Sequence, residues 1–98
     1  MSAALDDVIA ERRRQMDEEG WSAEHDDGWG GDELSRAASC YALNAFSKYY
    51  LGAVPERWPW SSKWWKRTNP RRDLVKAGAL ILAAIEQIDR LAKEGRSS

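Results

Sequence analysis

A chain of 98 residues is about the size of one domain, so it leaves no room for a second folded unit and builds only a small core. Its 43% hydrophobic and 32% charged residues suit a soluble globular protein, and no run of about eighteen apolar residues is present to span a bilayer. The formal net charge of −1 hides a polarity that disfavours duplex nucleic acid: eleven acids against three arginines leave −8 over residues 1–34, and seven basic residues against two acids leave +5 over residues 56–76.

The first predicted helix covers residues 3–19. Ser2 is a candidate N-cap, Asp6 and Asp7 sit where the helix dipole favours acids, and Gly20 can end it. Leu5, Val8, Ile9 and Met16 follow helical spacing but leave a wide polar face, which predicts an outer helix. The start lacks the basic-then-apolar pattern of a signal peptide, and the lone Cys40 has no partner for a bridge; both point to a cytoplasmic, reducing setting.

The stretch GWSAEHDDGWGG follows, read as an irregular acidic loop. Glu24, His25, Asp26 and Asp27 could in principle hold Mg or Mn, since hard cations take several oxygen ligands, but the spacing fits no metal motif and turn formation explains it as well. His25 has no second histidine or serine with which to form a triad. The second helix is predicted over residues 33–51, with Asp32 as cap, Gly52 after its end, and Leu34, Ala37, Ala38, Tyr41, Ala42, Ala45, Phe46 and Tyr49 on one side. Cys40 reads as a small buried residue there rather than a nucleophile.

Between helices two and three runs WPWSSKWWKRTNPRR (residues 58–72), which holds four of the six tryptophans and five basic residues. Indoles can stack on base faces while Lys and Arg neutralise phosphate, so the pattern suits a nucleotide; it also suits a core packed by a crossover loop. The third helix is predicted over residues 70–94, capped by Asn69, opened by Pro70 and closed by Gly95. Its segment AGALILAAI carries no polar residue, so cover is expected on nearly every side, by a second copy brought close at Gly78 or by the connector. Arg71 and Arg72 lie in its opening turn, where they oppose the helix dipole unless an anion is present. That anion is a bound phosphate or a carboxylate of the acidic loop, unless the two arginines are simply solvated.

The stretches ERRRQMDEEGWSAEHDD, DELSRAASCYA, WPW followed by WWK, and RRDLVKAGALILAAIEQIDRL resemble a family of small, largely uncharacterised proteins of phages, prophages and bacterial genomes, over most of residues 8–92. The resemblance implies a phage-associated protein of the host bacterial cytoplasm, in a context where small oligomeric helical proteins sequester nucleotide signals of bacterial immunity. A second resemblance, to the all-helical MazG-type pyrophosphohydrolases, rests on Glu86 and Asp89 in ExxD spacing; the ExxE helix pair that should precede it is missing.

The resulting expectation is an all-α, three-helix domain that is more a binder than an enzyme, with no catalytic or metal-ligating residue assigned and no cofactor. Stacking is expected from Trp60, Trp64 and Trp65, phosphate contacts from Lys66, Arg71 and Arg72, and polar recognition from His25 and Asp26. The expected partners are a small anionic nucleotide-like ligand, held intact, and further copies of the chain. The alternatives are a MazG-like hydrolase, which alone would need Mg, and an anti-defence module that binds protein.

Overall fold

A computed structural model gives the structure of residues 2–18, 32–46 and 54–97, with side chains through residue 93. It is all-α: α1 spans Ala3–Glu18, α2 Glu33–Asn44 and α3 Pro70–Ser97, with a 3-10 turn at Ser62–Trp64 in the connector. Among the described residues there is no strand, and no helix is long and apolar enough to cross a membrane.

Two of the three expected caps form. Ser2 Oγ accepts from the Leu5 N–H at 3.1 Å, and Asn69 Oδ1 accepts from the Arg72 N–H at 2.9 Å, each satisfying a donor that the first turn leaves open. Asp32 makes no cap bond; its carboxylate takes Arg36 Nη1 at 3.3 Å instead. The end of α2 also differs from the expectation. Its ladder stops at Asn44, whose side-chain amide donates to the Cys40 carbonyl at 2.8 Å, a local bond of the kind that competes with further helix. Arg67 donates to the Asn44 carbonyl, a cation at the negative end of the helix. Glu19 and residues 47–51, expected to be helical, lie outside the described residues. At the other end of the chain α3 runs through Gly95, because a glycine weakens a helix by about 1 kcal/mol without stopping it.

Helix α3 is the centre, and three of its faces have different surroundings. Ala77, Leu80 and Ala83 pack against Leu34, Ala37, Ala38, Cys40 and Tyr41 of α2 and against Trp58 of the connector; small residues on both helices allow the close approach. A second face meets α1, whose buried residues are Glu11, Arg12 and Gln15 rather than its apolar ones, while Leu5 stays 44% exposed. Leu74, Ile81, Ile85 and Ile88 form the third, and all are exposed; Leu91 is exposed as well but lies about 100° around the helix from Leu74. The expectation of cover on nearly every side is therefore met on two faces only.

Gly78 gives α1 room for close contact within the chain. A Cβ added there would lie 3.1 Å from Val8 Cγ2 of α1. Gly78→Val is expected to overpack this contact and lower stability by about 1–3 kcal/mol in chemical unfolding. An unchanged unfolding midpoint would show that α1 is free to shift away.

A candidate ligand-binding ledge at the connector

The connector folds back because its indoles have partners. Trp58 is 8% exposed and donates from Nε1 to the Ser61 carbonyl at 3.1 Å. It meets Tyr41, Trp60 and Trp65 edge-on at centroid distances of 5.5, 5.3 and 4.9 Å, and Trp65 also stacks on Tyr41 at 4.6 Å. Such pairs add to the burial of large apolar rings. The Tyr41 hydroxyl accepts from the Lys66 N–H at 3.0 Å and lies 3.5 Å from the Trp64 carbonyl, tying the strap to α2. Trp60, Trp64 and Trp65, each expected to stack on a ligand, pack partly buried against this core. Trp65 therefore spends one ring face on Tyr41.

Trp64 has different neighbours. The ammonium groups of Lys63 and Lys66 each lie 5.3 Å from its ring centroid, within the range where a cation is drawn to an indole face. Beside it a crevice of about 10 Å³ is lined by Glu11, Arg14, Gln15, Tyr41, Trp64, Lys66 and Lys76, enough space for one water-sized group. Gln15, 2% exposed, has no hydrogen-bond partner for Oε1 among the described residues. The Lys76 ammonium donates to the Lys66 carbonyl and lies 5.6 Å from the Tyr41 ring centroid.

Electrostatics at this crevice centre on Glu11, whose side chain is fully buried. Arg14 grips it through Nε at 2.7 Å and Nη2 at 2.9 Å, Gln15 donates at 3.2 Å, and Arg72 completes the cluster from α3. Burial alone would raise the Glu11 carboxyl, but hydrogen bonds and charge from Arg14, the charge of Arg72 and the Gln15 amide together hold it below its usual value. For Lys76, burial is the main cause of a lowered pKa, opposed by Asp73 and Glu11 and assisted by Arg72 and Arg14. Asp73, 1% exposed, accepts from the Thr68 N–H at 2.9 Å and faces Arg67 Nε at 3.6 Å. Glu11, Asp73 and Glu18, the last 3.4 Å from Arg14, thus stand against Arg14, Lys66, Arg67, Arg72 and Lys76. Among these described residues cations outnumber carboxylates by five to three.

The arginines of the α3 opening turn already have anions from α1; the acidic loop lies outside the described residues. Arg72 meets Glu11, and Arg71 Nη1 lies 2.8 Å from Asp7 Oδ2. The two contacts differ in weight, since Arg71 and Asp7 are 61% and 48% exposed whereas Glu11 is enclosed. His25 and Asp26 lie outside the described residues. Glu86 of the ExxD pair is bound by Arg12 Nε at 2.8 Å, and among the described residues no three His, Cys, Asp or Glu side chains gather as a metal site. Cys40 is buried, and its burial raises the thiol pKa, which opposes thiolate chemistry.

The sequence reading missed Glu11 and Gln15. The one available signal was negative: α1 has too few apolar residues to dock by them alone.

No family model matches the chain, and no curated protein or solved structure matches it either.

Proposed function

We propose that this chain is a phage-associated nucleotide-binding protein that sequesters its ligand without cleaving it, and that the ligand lies across Trp64. The observation that carries the reading is the pair of lysine ammonium groups beside one partly buried indole, at the rim of a cation-rich crevice. A base would take the ring face while Lys63 and Lys66 turned to its phosphate, exchanging cation–π contacts for stronger charge-assisted hydrogen bonds. The crevice is too small for a ring, so the ligand rests on the ledge and offers at most one donor to Gln15. Arg71 can exchange its exposed carboxylate for a phosphate at little cost, whereas Arg72 serves the fold through Glu11. Holding rather than hydrolysing is supported by Arg12 occupying Glu86.

Titration of the whole protein with cyclic nucleotides, ADP-ribose derivatives and nucleoside triphosphates, with and without Mg, tests this through indole fluorescence and thermal shift. Trp64→Ala and Lys63→Gln with Lys66→Gln are expected to weaken binding at least about tenfold, in line with the 1–3 kcal/mol of a stacked base. Ligand released by heat should be intact. Turnover with Mg would favour the hydrolase reading, and no response to any nucleotide would favour a module that binds protein. The exposed apolar face of α3 is the observation on which that second reading stands.

A further inference from the structure

We infer that the exposed face of α3 is a contact between two copies of this chain, packed antiparallel with their two-fold axis near Ile81. The inference does not rest on the ligand reading, since its apolar seam lies outside the connector; Arg71 is the one residue that both use. Leu74, Ile81, Ile85 and Ile88 are 41%, 49%, 48% and 64% exposed, and exposed Ala92 continues their spacing. At about 100° per residue these five fall in one narrow wedge along the helix, and their separations of seven, four, three and four residues form the seam of a paired helix rather than the broad stripe of a domain core. The stripe from Leu74 to Ile88 extends about 21 Å.

Charge complementarity selects the occupant and its direction. Arg71 and Asp89 lie on the same flank of the seam, the former ten residues before Ile81 and the latter eight after it. An antiparallel pair centred at Ile81 places each Arg71 near Asp89 of the second copy, Leu74 across from Ile88, and Ile81 across from itself. A parallel pair would put each copy's Arg71 and the other copy's Asp89 on opposite flanks of the seam, so that the two charges would not meet. Arg71 is 61% exposed, and its contact with Asp7 is on the surface, so it can serve both acids. A surface that complements itself under a two-fold rotation is what an isologous dimer requires.

The test uses the full chain in a Cys40→Ala background. Sedimentation at about 100 μM is expected to give twice the chain mass, with dissociation on dilution. Ile81→Glu and Ile85→Glu should each halve the mass; both positions are exposed, so helix content should persist. Under oxidation Ile81→Cys should cross-link to itself, Leu74→Cys should fail to do so alone, and a mixture of Leu74→Cys with Ile88→Cys should cross-link. A wild-type monomer at that concentration, an assembly indifferent to both glutamates, or a Leu74→Cys homodimer would each overturn the proposal.

Discussion

Replacing Glu11 with Gln is expected to lower the unfolding free energy by about 3 kcal/mol, near the lower end of what removing one partner of a buried ion pair costs. The lower end applies because Arg14 and Arg72, left without their shared acceptor, are 30% and 37% exposed and regain some hydration. The sign with pH follows from the lowered carboxyl. Near and below the ordinary value of 4.5 the unfolded chain takes up a proton that folded Glu11 refuses. Stability contributed by this residue is therefore fully present above that pH and is lost as pH falls toward the folded value. Urea denaturation from pH 7 to pH 3 should show wild type and Glu11→Gln converging at the acid end. Parallel curves would remove Glu11 from the account of how α1 is held.

Trp58→Ala is expected to cost about 3–5 kcal/mol, the usual range for emptying the site of a buried large aromatic. Its indole is the one ring that touches Tyr41, Trp60 and Trp65 together, so its loss opens a cavity and leaves the other two indoles without their edge contacts. The near-ultraviolet circular dichroism of the stacked rings should collapse with it, and nucleotide affinity should fall because the strap no longer presents Trp64. Trp64→Ala removes a ring at the surface of the same cluster and is expected to cost far less stability. If the two variants unfold at the same denaturant concentration, Trp58 is not the keystone.

Local chemistry made much of the fold legible. Asn69 before Pro70 marks the start of α3 because a side-chain acceptor and a residue without an N–H answer the same shortage of partners. Cys40 among small residues likewise reads correctly as core. What long-range pairing decides was not legible. Composition alone cannot separate Trp58, interred, from Trp64, beside two lysines at a rim, because the difference arises only where the connector meets Tyr41. Arg71 and Arg72 were rightly read as demanding an anion, but Asp7 and Glu11 lie more than sixty residues away in sequence. Glu11 itself looks like any acid in a charged helix. Only the docking of that helix turns it into the most enclosed carboxylate beside Asp73.

Because α3 meets a different medium on each side, one helix obeys three rules of tolerated change. Toward α2 it accepts only residues of similar bulk, as Ala77 and Ala83 leave no slack. Toward α1 sign decides at Arg72, where another cation is the gentlest change, and bulk decides only where Gly78 meets Val8. Along Leu74 to Ile88 neither constraint acts among the described residues of a single chain, and a second copy seated there would be the one thing to keep those positions apolar. Descendants of this sequence would therefore diverge in stripes rather than in blocks.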